Sequence, residues 1–153
     1  MEVKDTNVRI LGCAGGSGAR PFTFYHPGQS LSRLDACASD ECVKGIWATL
    51  TDHQCATLGT RVGDHRLECK SYQFEPDEKL TELTIWESQD GDRIGRIEFK
   101  TDRCGAFMIG PGGGKKHRFE VSKSKPLGLA GQYGADITRF ALIVTKEDTV
   151  NEV

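Results

Sequence analysis

Short runs of alternating apolar and polar residues, separated by glycine clusters, constrain the fold of this chain more than any other feature. Many of the 18 glycines fall within residues 12–18, 110–114 and 128–134, where they supply the turns that separate strands. Between these clusters, runs such as residues 94–99 and 137–144 are apolar at every second or third position, a pattern typical of β-strands. No long helical repeat is present. The sequence therefore predicts an all-β protein.

The spacing of these runs predicts about a dozen strands in one domain. A chain of 153 residues is the size of one ordinary domain and buries a core without needing metal or disulfide support. We predict a domain over residues 1–146 and an acidic, solvated tail over residues 147–153. The predicted strands are residues 8–13, 21–24, 31–37, 43–51, 56–60, 67–74, 79–87, 93–100, 106–109, 116–121, 127–131 and 137–145.

The charge balance excludes two classes of partner. The chain has 20 basic and 22 acidic residues and a formal net charge of −2, which argues against a general surface for nucleic acid or anionic membranes. No window approaches the roughly 20 consecutive apolar residues of a membrane-spanning helix. We therefore predict no nucleic-acid partner and no membrane span.

Six cysteines are many for a cytosolic protein of this size. An even number in a small domain favours a secreted, disulfide-containing protein. The alternative is a cytoplasmic protein with six thiols, because a free cysteine packs well as a small hydrophobic residue. We predict secretion and keep the cytoplasmic alternative open.

Three motifs occur in an order and spacing that resemble the jacalin-related lectins. They are GGSGA at residues 15–19 followed by Pro-Phe, residues 94–102 followed by Gly-Pro, and residues 131–142. Residues 74–78 resemble a turn of fungal-type members of that family. The resemblance implies a β-prism of three Greek-key four-stranded sheets, in which the first glycine loop and the last hairpin meet at one end.

The resemblance also implies a sugar site at that end, with two departures. The family's closing loop is Gly-x-x-x-Asp, but residues 134–138 read GADIT, so Thr138 replaces the aspartate. Ala19 replaces the last glycine of the first loop. Asp136 is a candidate substitute carboxylate, because carboxylates accept strong hydrogen bonds from sugar hydroxyls. The alternative for Asp136 is an ordinary turn residue that bonds its own backbone.

Tyr133 is the candidate aromatic residue for stacking against a sugar ring, and packing over the end of the prism is its alternative role. We expect Asp136 and Thr138 to lie at a solvent-facing loop end. The predicted ligand-binding residues are Gly18, Ala19, Tyr133, Gly134, Ala135, Asp136 and Thr138.

The leading hypothesis is a non-catalytic lectin-like protein that binds a mannose- or galactose-type carbohydrate. The alternative is a prism scaffold that has lost sugar binding and recognises proteins, as an effector, toxin component or inhibitor. We predict no cofactor and no metal, because the spacing of His53, Cys55, His65 and Cys69 matches no common zinc module. A homodimer is an allowed assembly.

The family fold guides the disulfide expectations, and the charges of a basic run suggest one further site. We predict at least two disulfides, chosen from Cys37–Cys42, Cys55–Cys69 and Cys13–Cys104. The basic residues 115–118, with Lys123 and Lys125, form a candidate site for a sulfated or phosphorylated glycan. The alternative for these residues is the solvated face of an edge strand, where lysine discourages pairing with another chain.

Overall fold

The computed structural model of this chain describes residues 8–16, 20–59 and 67–146. Every regular element within these ranges is a β-strand, and the part of the chain described has no helix long and apolar enough to cross a membrane. The strands are β1 (Val8–Gly15), β2 (Arg20–Phe24), β3 (Leu31–Ala38), β4 (Val43–Leu50), β5 (Cys55–Gly59), β6 (Glu68–Gln73), β7 (Leu80–Glu87), β8 (Ile94–Thr101), β9 (Ala106–Ile109), β10 (Lys116–Ser124), β11 (Pro126–Tyr133) and β12 (Ile137–Thr145).

The strands form three antiparallel four-stranded sheets around a shared core. Their orders are β1-β12-β11-β2, β5-β4-β3-β6 and β10-β7-β8-β9. In β8, Ile97 and Phe99 are buried while Arg96 and Glu98 are only partly covered, as expected when one face of a sheet packs on the core. Apolar residues from all three inner faces meet in one cluster. The all-β prism predicted from the sequence is confirmed.

Each of the twelve predicted strands overlaps an observed one. The largest difference is at β10, which ends at Ser124 rather than at residue 121. Glu120 pairs with Glu82 and Ser124 with Leu80, so four steps along β10 match two along β7. This irregularity is a bulge, which interrupts the period-two pattern on which the sequence prediction depends.

The turns gather at the two ends of the prism. One end, here called the turn end, carries the β1–β2, β3–β4, β7–β8, β9–β10 and β11–β12 connections. The opposite end carries the β2–β3, β4–β5, β6–β7, β8–β9 and β10–β11 connections. Backbone hydrogen bonds join neighbouring turns there, from Asp102 N to Lys79 O and from Thr145 N to Lys125 O. The tail, residues 147–153, lies outside the described residues.

A disulfide is present, as expected, but all three expected pairings were wrong. Cys37 on β3 lies directly opposite Cys69 on β6, and these two form the bond. Cys55 cannot reach Cys69, because β5 and β6 are the two outer strands of their sheet and β3 and β4 lie between them. Cys42 and Cys104 are free thiols. The side chain of Cys13 lies outside what the structure describes.

We expect thiol alkylation of the native, unreduced protein to follow this arrangement. Cys55 and Cys104 are exposed and should react first, whereas buried Cys42 should react only after unfolding. Peptide mass spectrometry should recover Cys37 and Cys69 as one linked pair that separates after reduction. Recovery of alkylated Cys37 before any reduction would contradict the assignment.

Candidate functional site

The first loop is anchored to β12 at the turn end. Gly16 N–H donates to Thr138 O at 2.7 Å, and Arg139 Nη1 donates to Gly16 O at 3.0 Å. Gly15 has a φ of +121°, and a Cβ at this position would lie 2.2 Å from Thr138 O. Only glycine fits so close to a neighbouring backbone with that φ. The glycine at position 15 therefore sets how the first loop leaves the sheet.

An ion cluster joins all three sheets at the same end. Asp136, in the β11–β12 turn, lies between Lys44 of β4 and Arg93, the last residue of the β7–β8 turn. Lys44 Nζ is 2.9 Å from Asp136 Oδ1, and Arg93 Nη1 is 2.9 Å from Asp136 Oδ2. Their side chains are 14% (Asp136), 28% (Lys44) and 24% (Arg93) exposed. The cluster is therefore largely covered but keeps an accessible edge.

The charges in this cluster support one another. Burial raises the pKa of Asp136, but the hydrogen bonds and charges of Lys44 and Arg93 outweigh it, and the net pKa lies below its ordinary value. The hydrogen bond with Asp136 raises the pKa of Lys44 above its ordinary value. All three groups are thus ionised at neutral pH. Sequence reasoning missed Lys44 and Arg93, because no spacing links residues so distant along the chain.

The structure places the predicted site residues in different surroundings. Gly134 and Ala135 are exposed, and Gly134 N–H donates to Asp136 O at 2.9 Å. Tyr133 is partly buried and packs edge-on against Phe22, with ring centroids 5.8 Å apart. Gly18 and Ala19 lie outside the described residues.

The expectation that Asp136 and Thr138 face solvent was wrong. The carboxylate of Asp136 is held by two cations from the neighbouring sheets. Thr138 Oγ1 is buried and has no hydrogen-bond partner among the described residues. Closure of the prism covers both positions, which local turn chemistry could not reveal.

A groove of about 370 Å³ lies beside the ion cluster. It separates the β3–β4 turn from the β7–β8 turn and the β9–β10 connection, and it is predominantly acidic. Its polar side chains are Asp40, Glu41, Gln89, Asp90 and Arg93. Within residues 8–16, 20–59 and 67–146, no group of three or more His, Cys, Asp or Glu side chains is arranged to hold a metal ion.

The basic residues singled out in the sequence do not form one surface. Lys116 at the start of β10 stands over the Trp86 ring, with its Nζ 5.5 Å from the ring centroid, and His117 Nε2 contacts Glu87 Oε2 at 2.6 Å. Lys123, near the end of β10, and Lys125, just after it, lie at the opposite end of the prism. A single glycan site over all of these residues is therefore excluded by their separation.

Comparison with known proteins places this architecture in one family. The family model of the jacalin-like lectin domain matches residues 11–142. A search of curated proteins found no match. Among solved structures, the lamprey immune protein is 26% identical with a TM-score of 0.81, over 93% of this chain and 45% of that one. This chain thus spans less than half of the lamprey protein.

Two plant lectins share the fold over their whole length. A lectin from Malaysian banana is 20% identical with a TM-score of 0.76, over 92% of this chain and 99% of the lectin. Artocarpin, solved as a complex with mannotriose, is 11% identical with a TM-score of 0.73, over 93% of this chain and 100% of artocarpin.

Proposed function

Because this chain belongs to the jacalin-like lectin domain family, a family of carbohydrate binders, we propose that it binds carbohydrate without catalysis at its turn end. The proposed site consists of residues 15–20 and 131–138. The observation that carries the proposal is the meeting of the first loop and the β11–β12 turn, through the Gly16–Thr138 hydrogen bond, beside a charged cluster. Mannose-type sugars are the proposed class, because artocarpin was solved with mannotriose.

The ion cluster supplies the hydrogen-bonding groups that a sugar needs. Sugar hydroxyls both donate and accept hydrogen bonds. Asp136 Oδ1 is buried against Lys44, so Oδ2 is the oxygen whose remaining lone pair is left for a ligand, and Lys44 Nζ keeps two further N–H donors. Bonds to charged groups are about twice as strong as neutral ones. The accessible edge of the cluster therefore offers strong donors and acceptors side by side.

The exposed backbone at Gly134 and Ala135 offers a second surface. Gly134 has open space around the position of a Cβ, so a ligand can approach its backbone closely. Tyr133 lies next in the chain and packs on Phe22, which holds its ring at the edge of the same surface. The acidic groove beside Arg93 extends the site toward further sugar units of an oligosaccharide.

We expect Asp136→Ala to weaken sugar binding by tenfold or more, as lost bonds to a charged group cost about 1.5–3 kcal/mol. Isothermal titration against the best ligand from a glycan array measures it. Arg93→Gln is the matched control, because it breaks an ion pair of the same carboxylate but keeps Asp136 and the N–H donors of Lys44. Similar losses in both variants would mean that the cluster only shapes the turn. A change below threefold in both would place the sugar elsewhere.

Thr138→Asp tests the position at which the family carries its aspartate. The substitution restores a carboxylate there, and we expect tighter binding or a shift between mannose- and galactose-type sugars. Because Thr138 Oγ1 is buried, the stability of the variant must be measured alongside its affinity. Unchanged affinity in a normally folded variant would argue against a site at this position.

A second candidate function is protein recognition by a prism that has lost sugar binding. It is favoured by the lack of a free carboxylate in residues 134–138. Thr138 carries no charge, and the carboxylate of Asp136 is paired with two cations. A folded protein that gives a blank glycan array at high concentration would favour this function.

We also propose secretion, since the Cys37–Cys69 disulfide is of a kind that persists in oxidising compartments.

A further inference from the structure

A pocket lined by lysines lies at the opposite end of the prism. This lysine pocket has a volume of about 460 Å³ and is formed by Lys79, Ser122, Lys123, Lys125, Thr145 and Lys146. The lysines come from the β6–β7 connection, the bulge of β10, the β10–β11 connection and the residue after β12. The fold thus brings four positive charges together from segments far apart in sequence, in a chain whose formal net charge is −2.

The ammonium groups of these lysines make no ion pair within the described ranges, and no carboxylate lines the pocket. Lys44, at the turn end, instead contacts Asp136 at 2.9 Å. Asp102 accepts a bond from the backbone N–H of Lys79 at 3.0 Å, and its charge faces Arg103. Mutual repulsion among four ammonium groups that have no ion pair with any described residue is unfavourable, and a bound anion would relieve it.

The backbone of β10 is distorted where it forms this pocket. Lys123 has a φ of +47°, in the left-handed region that residues with a Cβ rarely occupy. Such a conformation is strained for a residue with a Cβ, and strained residues cluster at functional sites. The bulge between Glu120 and Ser124 places Ser122 and Lys123 together on the pocket wall. Bulges re-aim side chains in this way.

Protection of a sheet edge does not explain the set. β10 is an edge strand, and lysine on an edge strand discourages pairing with other chains. That role accounts for Lys123 alone. Lys79, Lys125 and Lys146 lie outside β10, yet they line the same pocket.

We propose that the lysine pocket binds a phosphate group carried on a larger molecule, independently of any sugar at the turn end. Lysine ammonium groups recognise phosphate as compact positive charges with several donors. Two hydroxyls add to them. Thr145 Oγ1 accepts a bond from Lys125 N–H at 2.9 Å, which leaves its own proton available for donation. The pocket is larger than one phosphate and leaves room for the molecule that carries it.

The test is a titration of the full chain with glycerol phosphate, followed by backbone amide NMR, with glycerol as the blank. We expect shifts at residues 122–125 and 145–146 and an affinity that falls as salt is added. Lys123→Gln/Lys125→Gln should weaken binding about tenfold, as it removes two of the four charges facing the phosphate. Lys115→Gln/Arg118→Gln removes two charges from the other end of the same strand and should leave the affinity unchanged.

Vesicles distinguish the source of the phosphate. Phosphatidylcholine vesicles with phosphatidic acid present the same phosphate on a lipid, and phosphatidylcholine alone is their control. If the protein binds these vesicles and the Lys123→Gln/Lys125→Gln variant does not, the phosphate is carried by a lipid. If the protein binds glycerol phosphate but not the vesicles, the phosphate is carried by a soluble molecule. The proposal is overturned if neither probe binds, or if the two double variants weaken binding equally. Sugar titrations are unaffected by either result, so this proposal and the turn-end site fail independently.

Discussion

Gly15→Val is expected to destabilise the protein by about 3–5 kcal/mol or to prevent folding. A Cβ at position 15 would lie 2.2 Å from Thr138 O and 2.9 Å from a methyl carbon of Ile94. The φ of +121° adds strain for any residue with a branched side chain. The backbone of β12 cannot retreat, because it is hydrogen-bonded to β1 and β11 on its two sides. Urea unfolding measures the loss.

Gly134→Ala is the matched control at the same end of the prism. Nothing lies within 4 Å of the position that its Cβ would occupy, and its φ is not in the left-handed region. We expect a stability change within about 0.5 kcal/mol. A loss below 1 kcal/mol for Gly15→Val would show that the first loop can leave the sheet by another path. The close contact of the loop with β12 would then not be required for the fold.

Glu78→Ala is expected to cost about 3 kcal/mol, which lowers the melting temperature by about 6–12 °C in a domain of this size. Glu78 is only 3% exposed. Its carboxylate accepts bonds from Thr101 Oγ1 at 2.6 Å, from the Glu75 N–H at 2.8 Å and from the Tyr72 hydroxyl. These bonds tie β6 to β8 and to the β6–β7 connection. In the variant, the hydroxyls of Tyr72 and Thr101 lose their hydrogen-bond acceptor in a covered site. This loss is the main cause of the lower free energy of unfolding.

The same carboxylate should make stability depend on pH. Burial raises the pKa of Glu78, but the bonds donated by Thr101, Tyr72 and Glu75 N–H outweigh it, so its folded pKa lies below the ordinary value. A group of this kind stabilises the fold fully above its unfolded pKa of ~4.3, and the contribution is lost as the pH falls through the folded pKa. Glu78→Gln should therefore lose less stability than the wild type between about pH 5 and pH 2.

Tyr72→Phe is the graded control for this site. It removes one of the three donors but keeps the ring, which packs edge-on against Phe74, Phe99 and Phe107. We expect a loss of about 1 kcal/mol, smaller than that of Glu78→Ala. Melting curves of the wild type and the three variants at neutral and acidic pH decide the matter. An equal loss of stability in the wild type and in Glu78→Gln as the pH is lowered would contradict the pH argument.

The strands and the family motifs could be predicted from the sequence because they depend on local properties. Alternation in runs such as residues 94–99 and glycines at residues 12–18 specify strands and turns within a few residues of chain. The prediction failed at β10, where the bulge carries two extra residues opposite β7. A bulge depends on the partner strand, so the local pattern does not contain it.

The candidate site was predicted as a region, but its chemistry was not. The motifs at residues 15–19 and 131–142 predicted that the first loop and the last hairpin meet at one end, as the bond from Gly16 N–H to Thr138 O shows, but a sugar site there stays a prediction. Asp136 was considered as a carboxylate for sugar hydroxyls or as a turn residue that bonds its own backbone, whereas the structure pairs it with Lys44 and Arg93 from the two other sheets. Neither residue has a motif that marks it, because each is an ordinary charged residue, Lys44 near the start of β4 and Arg93 just before β8.

The disulfide shows the same division. Cys55 and Cys69 were paired as neighbours in a hairpin, but their strands form the two edges of a sheet, and Cys37 lies opposite Cys69 instead. The lysine pocket likewise joins Lys79 to Lys146 across 67 positions of the chain. Hydrophobic periodicity and turn residues act between near neighbours. The sequence alone therefore determined the all-β character of this protein and the positions of its strands along the chain. Pairing across strands and sheets depends on closure of the prism, so only the tertiary structure decided which charges and thiols meet.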